Sequence, residues 1–420
     1  MKVRKRFVFY LLLVFITYFT TEILAFTVYS ISHNTLFSWE RFQIKRLHVI
    51  FTPMFQAHLD NISVVLHPYL GYVSKPAPGT VSNYGFFGDD NAAPLSPPKT
   101  EDNVIIGIFG GSFAHELTLQ SQNILIRQLR HIPQFQDKKV IIHPIALGGY
   151  KQPQQVFAFM YFLLLGGYFD MAINIDGFNE VALPPSTNLP KQVSPFFPIN
   201  WFGKVSGMHD AKIAHLLREI SRLQIRQQRW AEFFADTPLQ YNIMSNLLWE
   251  FYHERLAHQV IEMERLFNEY EVKKEAHLSY LRTGPSFHYT DDSELYHRLA
   301  RMWKNASLQM YGLCQTNHIT YFHFLQPNQY VADSKNMTAE EMKIALRDDQ
   351  PYRKGAEHGY PILIEEGKIL RQQGVNYYDL TMVFKDTTIP VYRDDCCHLN
   401  QEGYDIVAKV IGAIIRRDLE

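Results

Sequence analysis

Three short strings in this 420-residue chain hold side chains of the kinds that catalyse acyl transfer. Ser112 follows two glycines in Gly110-Gly111-Ser112-Phe113. Asn179 closes Asp176-Gly177-Phe178-Asn179, and Asp395 and His398 stand three residues apart in Asp394-Asp395-Cys396-Cys397-His398. Acyl transfer requires a nucleophile activated by a base, a carboxylate that orients the base, and donors placed where the oxyanion forms. Ser112 fits the nucleophile and His398 the base, with Asp395 reaching the imidazole Nδ1–H from the same turn. The Ser112 N–H, a backbone N–H from Gly148 or Gly149, and the Asn179 amide fit the oxyanion donors. Taken singly, each string has a plainer reading: glycine turns, a helix N-cap, a surface histidine. Their order along the chain carries the argument.

Each string stands at a strand end or a helix entry. Val104 to Phe109, Val140 to Leu147 and Met171 to Ile175 are short apolar runs rich in β-branched residues, as in buried parallel strands. They end at Gly110-Gly111-Ser112, Gly148-Gly149 and Gly177-Phe178-Asn179. Ile319 to Leu325 and Val375 to Leu380 are two further strand candidates. Helical stretches are expected from about Glu116 to His131, from near Pro153, and from about Glu402 to Arg417. The last has Ile406, Val407, Val410 and Ile414 on one face. Strands alternating with helices predict a central parallel sheet covered on both faces, a three-layer α/β sandwich. Ligands bind such a sheet beyond its strands' carboxyl ends.

In this order the strings resemble the blocks of the SGNH (GDSL-like) hydrolases, a family named for Ser, Gly, Asn and His. Gly110-Gly111-Ser112-Phe113 stands where Gly-Asp-Ser-Leu is common. Gly148-Gly149 matches the second block without its usual preceding Asn. Gly177-Phe178-Asn179-Glu180 replaces Gly-x-Asn-Asp, and Asp395-Cys396-Cys397-His398 keeps both required residues of the last block. Asn83-Tyr84-Gly85-Phe86-Phe87-Gly88 is similar to a segment found ahead of the nucleophile in membrane-anchored relatives. The resemblance implies an SGNH/flavodoxin-like fold and an acyl-serine intermediate, with no metal and no organic cofactor. It implies an ester of an acylated carbohydrate or lipid as substrate. Hydrolysis, O-acyl transfer to envelope or secreted polysaccharide, and a non-catalytic envelope binding protein are the readings left open.

The surroundings bound the rest. With 41 Lys and Arg against 42 Asp and Glu, no basic excess exists to neutralise phosphates, so a nucleic-acid partner is not expected. Residues 1–6 form a basic tail. Residues 7–31 form an apolar run long enough to cross a bilayer, interrupted by Glu22, which must lie near the outer boundary, be protonated, or pair with another helix. The basic tail predicts a cytoplasmic N-terminus and an extracytoplasmic catalytic domain, as in a bacterial inner-membrane protein facing the periplasm. Residues 32–98 read as an irregular lead-in ending in a proline-rich linker, Ala93 to Pro98. Residues 99–420 read as the α/β domain, with an insertion at about 184–317. Within the insertion, Leu216 to Glu232 and Asn242 to Tyr270 predict a helical hairpin, either a lid or an arm that binds a partner protein. Cys314, Cys396 and Cys397 are too few for a disulfide framework; one bridge from Cys314, or three free thiols, are the alternatives.

Overall fold

The computed structural model describes residues 2–33, 35–51, 64–88, 99–206, 211–273 and 280–420. The proline-rich run Ala93 to Pro98 lies outside the described residues. The chain divides into two compact units, residues 1–61 with 206–277, and residues 62–205 with 278–420.

In the first unit, α1 (Lys2–His33) contains one stretch, Phe9–His33, long and apolar enough to cross a membrane. It packs with α2 (Trp39–Phe51) and with the hairpin of α6 (Ala211–Ala235) and α7 (Ile243–Lys273). Ala25, Tyr29, Phe37 and Phe42 meet Ala231, Phe234, Ile243 and Trp249 in one apolar cluster. Further along the hairpin, Leu216 and Ile220 pack against Val260 and Phe267, the faces expected from their spacing. Glu22 pairs with another helix. Its carboxylate accepts from the backbone N–H groups of Ile243 (2.7 Å) and Met244 (3.2 Å), free donors of the first turn of α7.

The second unit opens with a β-hairpin, β1 (Val64–His67) and β2 (Gly71–Ser74), where the sequence suggested irregular chain. Four-residue strands are too short to show a period. The sheet proper comprises β3 (Asn103–Gly110), β4 (Lys139–Ala146), β5 (Met171–Asp176), β6 (Thr320–Leu325) and β7 (Asn376–Asp379). All neighbours are parallel, in the order β4-β3-β5-β6-β7. Each strand begins and ends within two residues of its expected range.

Side chains alternate along β3. Ile105 and Phe109 enter one core layer, while Val104, Ile106 and Ile108 enter the other. The first layer is closed by α4 (Gln154–Leu164), α8 (Asp292–Thr316) and α9 (Arg353–Gln372). The second is closed by α3 (Ser112–Leu129) and α10 (Gln401–Leu419). The fold is therefore a three-layer α/β sandwich. The insertion is shorter than the sequence suggested, because α8 belongs to the sandwich: Leu299, Trp303 and Met310 are buried in the first layer. On α10 the fully buried stripe is Tyr404, Val407, Ala408, Ile411 and Ile415, with Ile406, Val410 and Ile414 at its margin. Pro153 is the N-cap of α4, so this helix begins at Gln154, close to where it is expected. All three cysteines are free, so Cys314, buried in the last turn of α8, makes no bridge.

Candidate active site

Strand order reverses at β3, which has β4 on one side and β5 on the other, and a crevice opens beyond the carboxyl ends at such a point. Gly110 ends β3 and Ser112 begins α3, so the hydroxyl is carried on an abrupt strand-to-helix turn. A Cβ on Gly111 would lie 2.2 Å from Asn179 Nδ2. Only glycine lets the end of β3 approach the Asn179 amide this closely. Helix α3 has no side-chain cap, and the positive end of its dipole lies at the turn that carries Ser112.

An imidazole arrives from 286 residues away. His398 Nε2 lies 2.8 Å from Ser112 Oγ, and His398 Nδ1 lies 2.6 Å from Asp394 Oδ2. The geometry fits one tautomer, with Nδ1–H donating to the carboxylate and Nε2 accepting from the serine hydroxyl. The carboxylate is that of Asp394, and this corrects the expectation placed on Asp395. Asp394 Oδ1 gathers the N–H groups of Cys396, Cys397 and His398 at 3.0, 3.1 and 3.2 Å, so the loop coils around that side chain and brings Oδ2 under the ring. Asp395 turns away. It accepts from Gln350 Nε2 at 2.7 Å and faces Arg347 at 3.2 Å. Burial pushes the Asp394 carboxyl up, but the hydrogen bond and charge of His398 and the backbone donors outweigh it and hold the group at about 2. Asp394 therefore stays ionised across the range in which an imidazole titrates.

Asn179 is buried in the first turn of α5 (Phe178–Leu183). Its amide donates one hydrogen to the Tyr150 carbonyl at 2.7 Å, which fixes the plane of the group. Gly148 and Gly149 follow β4 as expected. Gly148 is exposed, and its carbonyl accepts from Tyr72 Oη at 2.6 Å, so β2 braces this loop. Gly149 has φ +75°, and a Cβ there would meet the Ile199 side chain at 2.5 Å, so glycine is required twice over.

Beneath these loops lies a polar network that sequence reasoning missed. Asp176 is fully buried at the end of β5. It accepts from Trp303 Nε1 (2.6 Å), Asn174 Nδ2 (2.8 Å) and Gln152 Nε2 (3.2 Å), and contacts His323 Nε2 at 2.8 Å. His323 Nδ1 in turn meets Ser307 Oγ at 2.7 Å. Glu180, also buried, accepts from the backbone N–H of Gln152 (2.8 Å) and Gly177 (2.9 Å), tying the loop after β4 to the turn carrying Asn179. Burial, with the charge of Asp176 added, raises the Glu180 pKa against the pull of those donors. The only available signal was the polar Asn174 and Asp176 on an otherwise apolar strand end, with Glu180 in the turn of helix that follows. His323 gave none, because a histidine within an apolar run reads as core.

Of the residues flanking Ser112, His115 packs its ring against Phe87 with centroids 4.4 Å apart, and burial lowers its pKa. Glu116 pairs with Arg393 at 3.7 Å. Among the described residues, Cys396, Cys397 and His398 bring three metal-ligating atoms within 4.8 Å of one another. They fit a metal poorly. Both ring nitrogens of His398 are engaged, and burial pushes the Cys397 thiol up, away from the thiolate that a metal requires.

No protein-family model matches the sequence, and no curated protein matches it. Among solved structures, one from Bacteroides fragilis NCTC 9343 described as a candidate acylhydrolase is 11% identical, with a TM-score of 0.36, covering 79% of this chain and 94% of its own. A GDSL-like lipase from Bacteroides thetaiotaomicron VPI-5482 is 11% identical, with a TM-score of 0.34, covering 79% and 93%.

Proposed function

We propose that the chain is a serine-dependent enzyme that hydrolyses or transfers an ester-linked acyl group through an acyl-Ser112 intermediate. One observation carries the reading: the unbroken relay Asp394–His398–Ser112, at 2.6 and 2.8 Å, assembled from two distant segments at the switch point of a parallel sheet. His398 Nε2 takes the Ser112 proton as Oγ attacks the ester carbonyl. The Asp394 carboxylate stabilises the resulting imidazolium. The oxyanion is met by the Ser112 N–H, the free hydrogen of the Asn179 amide and a backbone N–H of the Gly148-Gly149 loop. His398 then returns its proton to the departing alcohol. Water or an acceptor hydroxyl, activated by the same imidazole, releases the acyl group. Substrates of the class are acylated carbohydrates or lipids. The apolar α1, behind its basic tail, supports a membrane anchor with the catalytic unit on the extracytoplasmic side.

A fluorophosphonate probe tests the chemistry directly. Labelling of the wild-type chain, its loss in Ser112→Ala and its strong reduction in His398→Ala are expected. An unlabelled, folded wild-type chain would return the fold to a binding role.

A further inference from the structure

We infer that the tip of the α6–α7 hairpin is a second membrane-contacting element, seated in the outer-leaflet boundary beside the anchor. The inference rests on reading α1 as a membrane span. Glu22 lies sixteen residues beyond Arg6, the last basic residue of the tail. At about 1.5 Å per residue that is about 24 Å into a hydrocarbon layer of about 30 Å, so Glu22 sits about 6 Å short of the far boundary. Tilting the helix only carries it deeper. A carboxylate at this depth is costly without donors. The donors it has are the first N–H groups of α7, with Tyr18 Oη also accepting from Asn242 Nδ2 at 3.3 Å. The turn that joins α6 to α7 is therefore held at the depth of Glu22, and the lipid around α1 must meet it.

The surface of the tip suits that position. Leu239 (38% exposed) and Tyr241 (66%) lie on the turn, and Phe233 (49%) and Leu248 (59%) lie on the helices just above it. Trp39 is exposed beside them, its indole N–H donating to the Tyr241 carbonyl at 3.1 Å, as amphipathic aromatics do at a membrane interface. Higher on α6, the exposed Arg229 and Arg226 precede Ala235 by six and nine residues. That raises them about 9 and 14 Å above the tip, into or just beyond the layer of lipid phosphates. Asp236, exposed in the same turn, keeps the tip near the far boundary and out of the hydrocarbon centre.

The test uses the full chain in nanodiscs of phosphatidylcholine and phosphatidylglycerol, with photoreactive p-benzoylphenylalanine replacing Leu239, Phe19 or Glu262 in separate preparations. After irradiation, a mass increase of one phospholipid is expected at 239 and at 19, and none above background at 262, far along α7. A lipid adduct at 19 without one at 239, or an adduct from 239 to protein instead of lipid, overturns the inference while leaving the anchor standing. Absence of lipid adducts at both 19 and 239 removes the anchor reading and the inference with it.

Discussion

Replacing Asp394 by Asn isolates the charge in the relay from its geometry. Oδ1 of Asp394 accepts three backbone N–H groups, and an asparagine oxygen can keep accepting them, so the loop should hold its shape. What changes is the group 2.6 Å from His398 Nδ1. An amide nitrogen there donates, which forces Nδ1 to accept and moves the ring proton to Nε2. That proton then faces Ser112 Oγ, 2.8 Å away, and the ring can no longer act as base. Loss of the correct tautomer together with the imidazolium's counter-charge lowers turnover by about 10⁴-fold, or about 5.5 kcal/mol of transition-state stabilisation. Asp395→Asn removes only a partly exposed pairing with Arg347, worth no more than about 1 kcal/mol, and should leave turnover within about fivefold of wild type. The assay is the rate constant for fluorophosphonate labelling, alongside hydrolysis of an activated aryl acetate, with thermal denaturation to verify folding. The opposite ranking, a collapse in Asp395→Asn with Asp394→Asn near wild type, would refute the relay drawn here. Stability has its own pH signature. Because the folded pKa of Asp394 is depressed, its stabilisation is present above the ordinary value of 3.8 and fades as pH falls towards about 2. The stability gap between wild type and Asp394→Asn should therefore close over that window, as read by denaturation at each pH.

Gly111→Ala places a Cβ 2.2 Å from Asn179 Nδ2 and must displace that amide. Turnover should fall about 10²–10³-fold, as for loss of one oxyanion donor, with Asn179→Ala giving a similar loss; undiminished turnover in both would remove Asn179 from the site. Asp176→Ala leaves His323 and Trp303 without their buried partner. Unfolding free energy measured in denaturant should drop by about 3–5 kcal/mol, and a drop below about 1 kcal/mol would show that the network does not support the fold.

The sandwich was legible because β3, β4 and β5 are largely apolar runs that stop at or beside glycine, and because burial on both faces of β3 and β5 permits little else along them. Ser112, Gly148-Gly149 and Asn179 were legible for the same reason: each sits where such a run ends, and a parallel sheet gathers those ends at one edge. The β1–β2 hairpin left no mark on the sequence, since four residues cannot display a period. The membership of α8 in the sandwich was equally hidden, because an amphipathic helix in an insertion reads like one in a core.

Local pattern thus determined which elements form and which side chains they present, since period and turn chemistry act over a few residues. Only the tertiary structure decided between Asp394 and Asp395. Neighbouring carboxylates on one loop are equivalent to any spacing argument. The choice is made by which of them captures the loop's N–H groups, and which faces Arg347 and Gln350 from a distant segment. The same holds for Glu22, whose partners on α7 lie more than two hundred residues away, and for the buried contacts of Asp176 and His323. Such pairings are fixed by packing between remote segments, and no local sequence period encodes them.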